Sequence, residues 1–267
     1  MPTLLGIPLD GNSSYLRGPA AAPAKIREAW RNDASNKWSE LGADVGEAGA
    51  FVDSGDLKLN DSREKIEEDF AEITHAISEL LEKGEHPISL GGDHSVTYPI
   101  LRAFARYYPD LTIIHFDAHP DLYDEFEGSR LSHACPFARI MEERLAKRLI
   151  QIGIRTLNRH QREQAEKFQV EIVPMAAVPA YDRFKARGPV YVSFDMDVLD
   201  PAFAPGISHR EPGGMSVRDA VAHLHAVTGT IVGADIVEFN PSQDISGMTA
   251  IVAAKILKEI LGKMMAD

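Results

Sequence analysis

Apolar residues fall into short blocks along the chain, and two kinds of block alternate. Compact runs that are apolar throughout and rich in β-branched residues occupy positions 3–7, 87–90, 111–116, 149–154, 170–173, 190–194 and 231–237, with a weaker one near 44–45. A strand covered by helices on both faces reads this way, whereas a strand with one wet face alternates apolar and polar positions. Between the runs, the patterns at 20–30, 63–83, 96–107, 133–144, 158–167, 180–186 and 217–227 predict helices. A last helix at 248–265 closes the chain. Its Ile251, Ile256, Leu257, Ile260 and Leu261 fall mainly on one face, and Lys255, Lys258, Glu259 and Lys263 interrupt it. That pattern fits a docked surface helix. Strands alternating with helices imply an α/β fold, a three-layer α-β-α sandwich on a mostly parallel, roughly eight-stranded sheet. No repeat, low-complexity tract or long linker breaks the 267 residues, so 1–267 reads as one domain. Segments 10–23 and 201–214 are loop-like and long enough to be functional.

Composition narrows the classes. A formal charge of −12 leaves no excess of Lys and Arg to neutralise phosphates, so no nucleic-acid partner is expected. The single cysteine, Cys135, rules out an internal disulfide and a Cys-based zinc cage. The first residues lack a basic segment and a long apolar run, and no stretch approaches the roughly 18 apolar residues of a membrane span. A cytoplasmic protein with no membrane partner is expected.

The chemistry lies where strands end. The run Ile88-Ser89-Leu90 leads into Gly91-Gly92-Asp93-His94-Ser95; Ile113-Ile114-His115-Phe116 leads into Asp117-Ala118-His119-Pro120-Asp121; Val190 to Phe194 leads into Asp195-Met196-Asp197-Val198-Leu199-Asp200-Pro201. In a parallel sheet the carboxyl ends of strands line one edge, where open α/β folds place their sites. Asp117, His119 and Asp121 stand two apart, as do Asp195 and Asp197, so an extended backbone would aim them the same way. With His94 they make four carboxylates and two imidazoles, enough for two cations and too many for one tetrahedral zinc. An Asp after a strand is often a turn former or helix cap, and Asp93 and Asp200 fit that description. His75, His86, His160, His223 and His225 show no clustering and read as surface or core residues. His115, inside a strand, reads as a satisfied core residue. His209 lies in a Gly/Pro-rich loop that could border a pocket. His133 opens a helix soon after the second cluster, which suits an acid/base group.

At these residues the sequence resembles the ureohydrolase family of arginases, agmatinases and related guanidino-acid hydrolases. The resemblance spans essentially the whole chain, from Arg17-Gly18-Pro19 to Val237-Glu238-Phe239-Asn240-Pro241. His119-Pro120-Asp121-Leu122-Tyr123-Asp124, Ser132-His133-Ala134 and Pro201-Ala202-Phe203-Ala204-Pro205-Gly206 are similar to the plant-type arginase branch, some of whose members also accept agmatine. The resemblance implies His94, Asp117, Asp121 and Asp195 around one ion, and Asp117, His119, Asp195 and Asp197 around a second, with Asp117 and Asp195 bridging. It further implies His133 as proton shuttle and Glu238 as the carboxylate that pairs with a guanidinium, and a homo-oligomer, trimer or hexamer.

The expected activity is hydrolysis of a guanidino group to urea and an amine, with L-arginine ahead of agmatine as the small-molecule substrate. A guanidinium is a poor electrophile, and two divalent ions can activate water against it. Asp121 is placed to accept the proton of that water while remaining a ligand. Carboxylate-rich ligation favours two Mn2+ over zinc, with Ni2+ or Co2+ as alternatives. Leu131 and, by rough alignment, Asn158 stand where animal-type arginases carry an Asn and an Asp, which leaves tail recognition open. The rival readings are a single-zinc deacetylase on a related sheet and a catalytically silent guanidino-compound or metal sensor.

Overall fold

The computed structural model describes residues 1–180 and 185–266. Eight strands form one sheet: β1 (Pro2–Gly6), β2 (Val52–Asp56), β3 (His86–Leu90), β4 (Thr112–Phe116), β5 (Arg148–Ile154), β6 (Glu171–Pro174), β7 (Lys185–Asp195) and β8 (Thr228–Val237). Their order is β2-β1-β3-β8-β7-β4-β5-β6, and every neighbouring pair is parallel. The expected α/β sandwich is therefore the observed one.

Seven α-helices cover the described sheet: α1 (Ala22–Arg31), α2 (Ile66–Glu82), α3 (Thr97–Phe104), α4 (Pro136–Glu142), α5 (Arg159–Phe168), α6 (Val217–Ala226) and α7 (Met248–Ala266). Successive strand side chains point to opposite faces, which splits the core in two. Ile88, Leu90, Ile114, Phe116, Val190, Val192 and Phe194 pack with α1, α6 and α7. Leu5, Ile113, Leu149, Tyr191 and Val232 pack with α2, α3 and α4. Helix α6 starts at a capping box, Ser216 with Asp219, and α5 at Asn158, whose side chain accepts from Gln161 N. Among the described residues no helix is long and apolar enough to cross a membrane.

Three expectations need correction. The stretch near 44–45 is not a strand. Asp44 makes only an isolated antiparallel bridge with Trp38, and the edge strand is β2, whose Val52-Asp53-Ser54-Gly55-Asp56 is exposed throughout. An edge strand in solvent needs no apolar run, so hydropathy did not mark it. The helix expected at 133–144 begins only at Pro136. Of the helix expected at 180–186, residues 181–184 lie outside the described residues; Met175–Ala180 is a 3-10 helix and Lys185 already belongs to β7.

Candidate metal centre

The four central strands in spatial order, β3, β8, β7 and β4, lead at their carboxyl ends to His94, Glu238, Asp195 and Asp117. Residues far apart in the chain thus become neighbours along one sheet edge. Backbone contacts lock that edge: Glu238 N donates to Gly92 O at 2.8 Å and Asp93 N to Leu9 O at 2.9 Å. Gly92 has to be glycine, because a Cβ there would lie 1.7 Å from Leu9 O.

His94 Nδ1 faces three carboxylate oxygens: Asp117 Oδ2 at 3.2 Å, Asp121 Oδ2 at 3.1 Å and Asp195 Oδ2 at 3.1 Å. This nitrogen is buried and makes no hydrogen bond of good geometry. On the far side of the ring, Nε2 lies 2.9 Å from Ser193 Oγ, which donates to Asp235 Oδ1 at 2.7 Å. Asp235 also accepts from Thr97 Oγ1 and Tyr191 OH, both at 2.8 Å. Because Ser193 gives its proton to Asp235, it accepts one from Nε2, and the lone pair of Nδ1 is then turned toward the carboxylates.

A second group lies alongside. His119 Nδ1 is 2.9 Å from Asp197 Oδ2 and 3.4 Å from Asp117 Oδ1. Asp117 therefore offers one oxygen to each group. Asp195 Oδ1 accepts from Asp197 N at 2.7 Å, leaving Oδ2 to the first group. His115 Nε2 stands 2.7 Å from Asp117 Oδ2, with its Nδ1 met by the Gln151 amide at 3.0 Å, so the ring donates to Asp117. Donors about 3 Å apart match neighbouring ligands around a divalent ion with bonds of about 2.1 Å. The set is hard, anionic and mostly buried, and it could hold two divalent cations.

The electrostatics call for cations. Burial, with repulsion from Asp197 and Asp117, pushes Asp195 well above the usual carboxylate range, and burial raises Asp197 to about 6 despite His119. Burial opposes charge on His94, yet the three carboxylates of Asp117, Asp121 and Asp195 crowded around Nδ1 outweigh it and raise the imidazole well above its ordinary value. The oxygens that hold a proton there are the ones a metal ion would use in its place.

All six expected ligands are thus brought together, though not by extended alternation. Asp195 caps the 3-10 turn Met196–Val198, and Asp121 has a left-handed backbone with φ of 48°. Glu238 is also left-handed, φ 61°, and the two strained residues both border the site. Glu238 Oε1 accepts from His94 N at 2.9 Å and lies 3.0 Å from His133 Nδ1. His133 sits in the turn before α4, with Ser14 Oγ 2.8 Å from its Nε2. Burial disfavours its charged form, but the Glu238 bond and charge prevail and raise it to about 9.

His209, left open by the sequence, stacks on His133 with ring centroids 5.2 Å apart and lines the same cavity of about 190 Å³. Ser14, Tyr123, Thr156 and Glu211 also line it, so both long loops contribute walls. Asp200 is the turn former it resembled, accepting from Ala202 N and Gly213 N. Asp93 caps the turn at His94–Val96, accepting from Ser95 N. Ser193 and Asp235 were missed. Both sit inside apolar strand runs, where a lone polar residue aimed inward was the only available signal.

A model of the Arginase family matches residues 2–262. The chain is 45% identical to "Arginase 1, mitochondrial" of Arabidopsis thaliana, covering 98% of this chain and 80% of that relative. It is 34% identical to "Agmatinase" of Bacillus anthracis, covering 97% and 90%. The solved structure "Arginase from Medicago truncatula" superposes with a TM-score of 0.92 at 40% identity, covering 98% of this chain and 87% of that one.

Proposed function

This chain belongs to the arginase family and is a ureohydrolase, and on that premise we propose that it cleaves L-arginine to L-ornithine and urea with two manganese ions per subunit. The observation that carries the metal reading is Asp117, whose two oxygens face His94 and His119 separately. We assign His94, Asp117, Asp121, Asp195, His119 and Asp197 as ligands. Two adjacent donor groups argue against a single-zinc deacetylase, and an undamaged donor set argues against a silent sensor.

Two divalent cations, when bound, supply the Lewis acidity that makes water a nucleophile near neutral pH. The chain's own residues do the rest. Glu238 takes the guanidinium through a charge-assisted hydrogen bond and fixes the carbon under attack. Asp121 accepts the proton of the nucleophile. His133, held protonated below about 9 by Glu238, donates to the departing nitrogen so that it leaves neutral. Hardness of the ligands favours manganese, with nickel or cobalt as alternatives.

Agmatine is the second reading. Among the described residues no Lys or Arg lines the cavity to meet an α-carboxylate, and agmatine has none. We further propose one domain over 1–267, assembled as a homo-oligomer. The free, buried Cys135 suits the reducing cytoplasm. The test is urea release from arginine, agmatine, 4-guanidinobutyrate and guanidine with manganese supplied. Urea from arginine supports the first reading, urea from agmatine alone the second, and none from any substrate overturns both.

A further inference from the structure

We propose that Glu211 is the subsite for the far end of the substrate and that it takes an ammonium group there. The inference rests on the ureohydrolase reading and names the chemistry of the tail.

Glu211 lines the same cavity as Glu238, His133 and the metal-facing carboxylates. Its backbone is fixed. Arg155 Nε and Nη2 donate to Glu211 O at 3.0 and 2.7 Å, and the same guanidinium donates to Asp197 O at 2.8 Å. Asp200 closes the loop by accepting from Gly213 N at 2.6 Å. Neighbouring Arg210 turns away, donating to Pro205 O and Gln243 Oε1. The Glu211 carboxylate itself has no hydrogen bond or ion pair among the described residues.

Charge accounting singles it out. Two divalent cations would offset Asp117, Asp121, Asp195 and Asp197. Glu238 has His133 at 3.0 Å and would face the guanidinium. Among the described residues that line the cavity, Glu211 alone remains an anion with no countercharge, and no Lys or Arg is there to supply one. A substrate with a guanidino group at one end and an ammonium at the other completes both. The α-ammonium of arginine and the terminal amine of agmatine qualify; a chain ending in carboxylate alone does not. An α-carboxylate beside the ammonium would meet only a neutral donor such as the Tyr123 hydroxyl, which accepts from Asn158 and keeps its own proton to give.

The test compares agmatine with n-pentylguanidine, which replaces the ammonium by a methyl group, in wild type and Glu211→Gln. Both molecules share the guanidine end, so their kcat/KM ratio isolates the tail. The ratio is expected to fall by about tenfold to hundredfold in Glu211→Gln, mainly through KM. Calorimetric binding of 1,4-diaminobutane to the manganese-loaded protein gives a second readout without turnover, and it should weaken in Glu211→Gln. The Gln variant keeps the backbone carbonyl that Arg155 grips, so an unchanged Tm is expected to show that the loop is intact. Urea release from agmatine with a ratio that moves less than about threefold would overturn the subsite and leave the ureohydrolase reading standing. No urea from any guanidine in wild type would overturn that reading itself, and this inference with it.

Discussion

Ser193 Oγ stands 2.9 Å from His94 Nε2, on the side of the imidazole away from the three carboxylates. Through Asp235 it fixes which nitrogen of His94 faces the candidate metal site. Replacing it with alanine leaves the ligand in place but frees the ring and strands one side of Asp235. Ser193→Ala should therefore weaken manganese binding about 10- to 100-fold. Calorimetric titration measures this directly; unaltered affinity would show that the relay has no role in orienting His94.

Glu238 controls His133 in the same manner. In metal-free protein His133 should titrate near 9, because Glu238 outweighs the opposing effect of burial. Stability from that pairing is complete below the ordinary histidine value of about 6.5 and is lost as pH rises through about 9. With Glu238→Gln the burial effect dominates, and His133 should titrate well below 9. The imidazole Cε1–H resonance followed by NMR across pH reports the shift. An unmoved titration would break the link between the two residues.

Much of this was legible in the sequence, and the misses have physical causes. Apolar strand runs ending in Asp and His located all six candidate ligands, since the carboxyl edge of a parallel sheet gathers whatever follows its strands. Edge strand β2 escaped because Val52–Asp56 lies in solvent and needs no hydrophobic run. His115 was read as a satisfied core residue. It is buried and bonded, but its partner is Asp117 two residues on, and Gln151 on neighbouring β5 fixes which ring nitrogen faces that carboxylate. His209 and Glu211 could not be placed from sequence because their loop is positioned by Arg155 and Asp200, through bonds that span from 13 to 56 residues.

Arg155 is the clearest example of such a long-range tie. Its guanidinium donates to the carbonyls of Asp197 at 2.8 Å and Val198 at 3.3 Å, and to that of Glu211 at 2.7 Å. Arg155→Met would take the donor from the Asp197 and Glu211 carbonyls, while Val198 O keeps Met215 N, at about 1–3 kcal/mol for each one that water cannot reach. For a chain of this size that lowers Tm by several degrees, roughly 2–4 °C per kcal/mol. Arg155→Lys should recover only part of the loss, because a single ammonium cannot serve both Asp197 and Glu211. A thermal melt of the two variants checks the order. Equal Tm in wild type and Met variant would mean that the tie is not stabilising.

Burial pushes the Cys135 thiol up to about 12, with the charge of Asp121 adding to it. The thiolate is the reactive form, so the native protein at pH 8 should be alkylated by iodoacetamide at least about a hundredfold more slowly than the unfolded chain. Mass spectrometry over time gives both rates. Rapid native labelling would show that the turn carrying His133 and Cys135 opens readily.

The most direct measurement is the metal content of the purified, manganese-reconstituted protein after removal of loosely held ions. Two manganese ions per chain are expected in wild type, with Asp117→Asn losing affinity at both positions because its two oxygens face His94 and His119 separately. A single tightly held ion in wild type, left undisturbed by Asp117→Asn, would contradict the two-cation centre.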